Sequence, residues 1–188
     1  MEQRYGRQLG ALDAILRTSG RFAIVYSRSE ALDVALQISR NLFQYFAADT
    51  EITHSKSLPL SFQGNVINLS LGPSLSDPSR KNHPISVEPD QGIVVRDASG
   101  FPKKYEFEDG LGAAFLRPLP DEGLELVIWG YDDAGLRQAA RLVPMLTGGG
   151  QPDFVIVSRK CRWRGASGVL AMGFFDYAWN ISKASFLA

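Results

Sequence analysis

Polar side chains follow three apolar runs of this chain, at the points where each run ends. The runs cover residues 22–26 (FAIVY), 65–71 (NVINLSL) and 124–129 (LELVIW). Ligands of open α/β sheets bind outside the carboxyl ends of such strands. The sequence therefore predicts that any small-molecule site contains the residues that come after these runs; the alternative is a set of capped turns without a ligand. These residues are Ser27, Arg28, Gly72, Ser74, Tyr131 and Asp132.

The same turns hold groups that a cofactor-free enzyme would need. Proton transfer in an apolar pocket would use Asp132, Tyr131, Arg28 or Arg96 as a general acid or base. Asp132 and Asp133 also suit the start of a helix, where carboxylates interact favourably with the helix dipole. Because helix capping is the simpler interpretation, the sequence assigns no catalytic residue.

The chain lacks the signature of a serine hydrolase. The nucleophile elbow requires G-x-S-x-G between a strand and a helix, and the nearest string, GASGV at 165–169, lacks the final glycine. Only two histidines occur, His54 and His83, and both lie in polar segments that we expect to be exposed. The glycines at 148–150 follow a helical pattern and precede a strand, which is the reverse of a phosphate-binding loop. They are predicted to end the helix.

Composition argues against several classes of function. Twenty basic and twenty acidic residues cancel, so no net charge attracts nucleic acid. The apolar stretches are too short to span a membrane. Cys161 is the only cysteine, which excludes an internal disulfide and a thiolate-rich metal site. Neighbouring cations would lower the pKa of a reactive thiol here, although a small packing residue is the simpler interpretation. No cofactor or metal is predicted.

The elements that must position these residues are most clearly seen between 123 and 158. A buried strand, an amphipathic helix and a second apolar strand follow one another, which is typical of a β–α–β unit. Residues 9–18 and 31–46 predict two more helices, and Leu32, Leu36 and Phe43 widen the apolar face of the second. The prediction is a single α/β domain over 1–188, with a mixed sheet covered by helices.

Between residues 85 and 117 the pattern changes to short strands joined by turn residues. Strands are predicted at 92–96, 104–107 and 112–116, joined through Asp-Ala-Ser-Gly and Glu-Asp-Gly segments. We expect these strands to form an antiparallel hairpin insertion at the edge of the sheet. The unit from 123 to 158 should instead place its two strands side by side.

The last apolar run, 169–179, is read as a strand, with a helix as the alternative. Aromatic residues are dense around it, beside Arg162 and Arg164, and such clusters occur both in cores and in interfaces. The sequence predicts a docking surface built from these aromatic residues: Trp163, Phe174, Phe175, Tyr177 and Trp179.

Several long strings resemble the C-terminal region of large fungal proteins. They include ALQISRNLFQYFAAD, EPDQGIVVRDASG, LVIWGYDDAGLRQAARLVPMLTGGGQPDFVIV and WRGASGVLAMGFFDYAWN, and the resemblance begins near Leu9. Those proteins are predicted to be secreted and to be prolyl-oligopeptidase-like or α/β-hydrolase-like. The resemblance implies an accessory domain that shapes, covers or docks a hydrolase whose nucleophile lies upstream.

Two functional hypotheses follow. The first is a non-catalytic interaction domain that binds a hydrolase domain or itself, and that is secreted if it belongs to a longer parent chain. The second is a small stand-alone cytoplasmic enzyme, an isomerase, cyclase or lyase, that acts on an apolar metabolite. An exposed apolar patch favours the first hypothesis, and a deep pocket around a perturbed acid or base favours the second.

Overall fold

The computed structural model describes residues 3–18, 20–59, 62–75, 83–97, 99–143 and 151–188. Within them the protein is mainly β, with one eight-stranded mixed sheet, one three-stranded sheet and a few helices. The strands are β1 (Arg21–Tyr26), β2 (Glu51–His54), β3 (Gly64–Leu71), β4 (Ile85–Glu88), β5 (Gly92–Arg96), β6 (Pro102–Tyr105), β7 (Gly112–Pro118), β8 (Leu124–Gly130), β9 (Phe154–Val157), β10 (Val169–Gly173) and β11 (Phe186–Leu187). The helices are α1 (Leu32–Phe46), α2 (Asp133–Ala140) and α3 (Cys161–Arg164). The segment at 148–150 lies outside the described residues.

One half of the large sheet is parallel. Its strands lie in the order β2, β1, β3, β8, and α1 connects β1 to β2. The helix buries Val34, Ala35, Ile38 and Leu42, which the 3.6-residue period of an α-helix puts on one side. It ends at Ala47, which adopts a left-handed conformation with φ 50°. β1, α1 and β2 therefore form a parallel β–α–β unit.

The apolar face of α1 is narrower than predicted. Leu32, Leu36 and Phe43 do not widen the buried stripe but are 37%, 55% and 67% exposed. They occupy one line along the helix, turned away from the side that packs on the sheet. The hydrophobic pattern therefore identified the helix correctly but overestimated the part that is covered.

The strand–helix–strand unit from β8 through α2 to β9 differs from the prediction in one respect. β7 lies between β8 and β9 and is antiparallel to both. Val127 therefore faces Phe115, and Val155 faces Ala114, so the two valines share a sheet without being neighbours. The prediction that β8 and β9 are parallel is confirmed, and the prediction that they are direct neighbours in the sheet is wrong.

The predicted antiparallel insertion is divided between two sheets. β4, β5 and β6 form the separate three-stranded sheet, which buries Ile85, Val87, Ile93 and Val95 against the core. β7 belongs instead to the centre of the large sheet, because every residue from Gly112 to Arg117 is buried and needs cover on both faces. The expectation of an edge insertion containing all three strands is wrong.

The two ends of the chain are less regular than predicted. Residues 9–18 form a short 3₁₀ segment, Leu12–Leu16, in place of an α-helix. The run at 169–179 is a strand only as far as Gly173, which excludes the helical alternative. Beyond it the chain turns, and Phe175 forms an isolated antiparallel bridge with Ile181. The described helices include none that is long and apolar enough to cross a membrane.

Candidate functional site

The predicted convergence of strand ends is present. Tyr26 is in register with Leu69, and Leu71 with Gly130, so β1, β3 and β8 end at the same edge. The backbone N–H of Ser27 donates to Leu69 O at 3.2 Å, and that of Gly72 donates to Gly130 O at 3.0 Å. Ser74 lies beyond this edge and is exposed. The sheet therefore brings Ser27, Arg28, Gly72, Tyr131 and Asp132 to one region.

Gly72 is fixed by its surroundings at this edge. Its φ of +104° is one that L side chains rarely adopt, and a Cβ would lie 3.1 Å from Arg28 Nη2. The indole N–H of Trp129 donates to its carbonyl oxygen at 2.9 Å. Glycine therefore lets the exposed Arg28 side chain lie against the backbone.

Asp132 has a structural role at this position. Its Oδ1 accepts a hydrogen bond from the backbone N–H of Gly135 at 2.7 Å, which caps α2. Both carboxylate oxygens also accept from the backbone N–H of Gly110, at 3.1 and 3.2 Å. Tyr131 stacks on Phe107 with ring centroids 4.8 Å apart. The carboxylate therefore joins α2 to the loop before β7, as the capping interpretation predicted.

Arg96 does not lie with Asp132 and Tyr131 at the end of the parallel strands. Its guanidinium pairs with Glu88 at 2.9 Å and with Ser86 Oγ at 3.2 Å, within the three-stranded sheet. The four acid–base candidates are therefore not gathered around one cavity. Among the described residues, no group of three or more His, Cys, Asp and Glu side chains is placed to hold a metal ion.

A groove of about 560 Å³ lies beside α2. We call it the arginine groove, and its lining is Asp109, Gly110, Asp133, Ala134, Arg137, Gln138, Arg141, Arg159, Arg162 and Trp163. Arg137 pairs with Asp133 at 2.8 Å and with Asp33 at 2.5 Å. Hydrogen bonds from this arginine lower the pKa of Asp33.

The other three arginines of the groove are differently placed. Arg141, Arg159 and Arg162 have no carboxylate within 4 Å in the described part of the chain. The guanidinium carbons of Arg159 and Arg162 lie 5.7 and 5.5 Å from the ring centroid of Trp163, within cation–π range. The groove therefore combines uncompensated positive charge with an exposed indole.

A second cavity of about 290 Å³ adjoins the arginine groove. We call it the apolar cleft, and its lining is Gln138, Arg141, Leu142, Val155, Val157, Cys161, Arg162, Gly165, Ala166 and Val169. Gln138, Arg141 and Arg162 line both cavities. Sequence reasoning missed this region, because α2, β9 and α3 meet only in the folded sheet. The only local signal was the basic segment around Trp163.

Cys161 lies in the wall of the apolar cleft. Burial raises the pKa of its thiol, and a hydrogen bond with the backbone of Ser158 only partly offsets that effect. The hypothesis of a reactive thiol with a lowered pKa is therefore wrong, because the neighbouring cations do not compensate for burial.

We expect Cys161 to be alkylated by iodoacetamide more slowly than free cysteine at neutral pH, because the thiolate is the attacking species and a raised pKa leaves less of it. The rate should rise with pH and reach half of its plateau above the pH found for free cysteine. Rates measured by mass spectrometry between pH 6 and 11 check this, with unfolded protein as the control. A midpoint below that of free cysteine would contradict the assignment.

The predicted aromatic docking surface is only partly at the surface. Trp163, Phe174 and Tyr177 are 66%, 40% and 71% exposed. Phe175 and Trp179 are buried, at 6% and 0% exposure, and assigning them to an interface is wrong. The turn after Gly173 explains the division, because its bridge to Ile181 turns alternate aromatic residues inward.

Exposed apolar side chains occur together on the last two strands and at the residue after β10. Met172 on β10 is in register with Phe186 on β11, and Phe174 is the residue that directly follows the end of β10, two positions after Met172. These three residues are 40%, 53% and 40% exposed. We call them the C-terminal apolar patch.

The large sheet also buries polar groups that sequence reasoning missed. Asn68 Nδ2 donates to Glu125 Oε1 at 2.8 Å, and Ser70 Oγ donates to Asn68 Oδ1 at 3.2 Å. Glu125 is also in register with Arg117 on β7. The signal was available, because these polar residues interrupt otherwise apolar strands, where buried polar groups need partners.

His83 differs from the prediction as well. It is only 4% exposed and stacks against Phe115 with ring centroids 5.7 Å apart. Its ring also meets Phe175 edge-on at 5.2 Å. The expected exposure is wrong because the residues that follow His83 enter the buried strand β4. His54 is half-buried, on β2 at the far end of the sheet.

The chain is 44% identical over 193 aligned residues to an uncharacterised secreted protein of the fungus Arthroderma benhamiae. The alignment covers the whole of this chain and only 20% of the relative, so the chain spans about a fifth of that protein's length. No protein-family model matches the chain.

A match to a longer, secreted fungal protein is confirmed. The prolyl-oligopeptidase-like or hydrolase-like character of the rest of such a protein has no support in the comparison and stays a prediction.

Proposed function

We propose that this chain is a non-catalytic interaction domain of a longer secreted protein, and that the C-terminal apolar patch binds another part of the same polypeptide. The observation that carries the proposal is the exposure of Met172 and Phe186, which are paired on the two last strands, together with Phe174 just after β10. Contiguous exposed apolar groups on a folded domain mark surfaces that another protein covers. The relative is about five times as long as this chain, and the proposal is supported by this extra length, since a longer chain has further segments that could cover the patch.

The enzyme hypothesis has less support. Asp132 accepts hydrogen bonds from the backbone N–H groups of Gly110 and Gly135, and Arg96 is paired with Glu88 elsewhere. A general acid or base must reach a bound substrate, and none of the four acid–base candidates lines the arginine groove or the apolar cleft. We therefore favour an accessory role, with the hydrolase-like nature of the parent protein taken from the sequence resemblance.

Binding in trans tests the docking surface. The isolated chain should bind the remainder of the longer protein, produced separately, and replacing both Phe174 and Phe186 with serine should weaken the affinity at least about tenfold. The reason is that burying a phenylalanine contributes about 1.5–3 kcal/mol. Isothermal titration calorimetry gives both dissociation constants.

Phe101→Ser provides the matched control, because Phe101 is 73% exposed and lies on the turn between β5 and β6. Its replacement should leave the affinity unchanged. Self-association that disappears with the double serine variant, without binding to the remainder, would replace the proposed partner with a second copy. Binding that is insensitive to both changes would overturn the assignment of the patch.

A further inference from the structure

The arginine groove and the apolar cleft are two parts of one surface depression. Arg141 from the end of α2 and Arg162 from α3 line both cavities, and so does Gln138. On one side of this shared wall are the indole of Trp163 and more positive charge. On the other side are aliphatic side chains of Leu142, Val155, Val157 and Val169.

The charges at this shared wall are uncompensated. Neither Arg141 nor Arg162 has a carboxylate partner among the described residues, whereas Arg137 nearby is neutralised by Asp33 and Asp133. Planar guanidinium groups bind carboxylates through paired, charge-assisted hydrogen bonds. The guanidinium groups of Arg141 and Arg162 are therefore available to bind an anionic group at the shared wall.

The apolar cleft specifies the rest of the ligand. Small-molecule sites are concave and mostly apolar, with a few polar groups that fix orientation. Here the valines of β9 and Val169 supply an apolar surface directly beside the arginines. A polyanion such as nucleic acid does not match this surface, because Asp109 and Asp133 line the groove and the chain has no net charge.

We propose that this depression binds a small amphipathic carboxylate, with its carboxylate on Arg141 and Arg162 and its apolar body in the cleft. The body is an aliphatic chain or an aromatic ring of modest size, since the cleft holds about 290 Å³. This inference does not depend on the docking function of the C-terminal apolar patch.

Protection of Cys161 from alkylation reports occupancy, because its side chain lines the cleft. Octanoate probes an aliphatic body and 4-phenylbutyrate an aromatic one, and the corresponding amides lack the charge. We expect at least one carboxylate to slow the alkylation of Cys161 about fivefold or more at saturation. The dissociation constant of the corresponding amide should be at least about tenfold higher than that of the carboxylate. Calorimetry measures the same affinities independently of the thiol.

Variants locate the two halves of the site. Arg141→Gln and Arg162→Gln should each weaken carboxylate binding about tenfold or more, since hydrogen bonds to charged groups are the strong ones. Ala166→Phe should block the cleft, because Ala166 lines it and is exposed. Arg164→Gln is the matched control, because Arg164 belongs to the same short helix and lines neither cavity.

All four altered residues are exposed, so circular dichroism should show a native fold in each variant. Failure of both carboxylates to bind would overturn the proposal. Equal binding of acid and amide, or equal effects of Arg164→Gln and Arg162→Gln, would also overturn it. Loss of docking in trans with intact carboxylate binding would contradict only the proposed function.

Discussion

Replacing Asp153 with alanine is expected to lower the free energy of unfolding by about 3–5 kcal/mol, because it leaves a charged arginine buried without its partner. Arg4 Nη1 lies 2.8 Å from Asp153 Oδ2, and the two side chains are 6% and 3% exposed. The same carboxylate oxygen accepts the backbone N–H of Phe175 at 2.6 Å. Urea unfolding followed by circular dichroism measures the loss.

An exposed ion pair provides the control. Arg21 and Glu51 pair on the surface of the parallel edge, with side chains 57% and 52% exposed. Exposed pairs contribute only about 0–1 kcal/mol, so Glu51→Ala should cost no more than that. A cost for Asp153→Ala as small as that for Glu51→Ala would contradict the buried ion pair.

The pKa of Asp153 sharpens this expectation. Burial raises it above the ordinary value, and this effect exceeds the opposing one of Arg4. A carboxyl whose folded-state pKa is raised stabilises the fold below its unfolded-state pKa and loses that contribution as the pH rises through the folded-state pKa. The ionised pair is therefore not itself a net source of stability at neutral pH. The double variant Arg4→Met with Asp153→Leu should recover part of the loss caused by Asp153→Ala, because it removes the uncompensated charge but leaves the backbone N–H of Phe175 without its acceptor.

Truncating Trp179 to alanine should have a comparable effect, about 3–5 kcal/mol, because it removes a large side chain from a packed interior. Trp179 is 0% exposed. Its ring centroid is 5.7 Å from that of Phe175, and the guanidinium of Arg4 lies 4.7 Å from it. Thermal and urea unfolding measure the change.

Tyr177 is the natural comparison, two residues earlier and 71% exposed. Tyr177→Ala should change stability by no more than about 0.5 kcal/mol, as is usual for surface positions. If Trp179→Ala instead left stability unchanged and weakened binding to a partner, Trp179 would belong to an interface, as its sequence context suggested. Together the two variants show which aromatic residue of this turn belongs to the core and which belongs to the surface.

This contrast shows what the sequence could predict. The pattern around α1 and β1 is local, since apolar spacing and turn residues determine a helix and its neighbouring strand, and both were predicted correctly. Convergence of Ser27, Gly72 and Tyr131 also followed, because each comes directly after a buried strand. The chemical role of these residues could not be predicted, since it depends on which groups already form hydrogen bonds with one another in the folded protein.

The remaining features depend on long-range pairing. Insertion of β7 between β8 and β9 cannot be read from either strand, because buried strands look alike whatever their order in the sheet. The apolar cleft forms only where α2, β9 and α3 meet. Burial of Trp179 but not Tyr177 depends on a backbone conformation, φ 61° at Trp179, that is uncommon for a residue other than glycine.

The most direct test of the proposed function is the oxidation of Met172 in two forms of the protein. Its side chain is 40% exposed in the isolated chain, and hydrogen peroxide converts accessible methionine to the sulfoxide. Peptide mass spectrometry should find that Met172 is oxidised at least about fivefold more slowly in the longer parent protein that the proposed function assumes than in the isolated chain. Equal rates in the two forms would contradict the account, because the C-terminal apolar patch would then lie open to solvent in the longer protein.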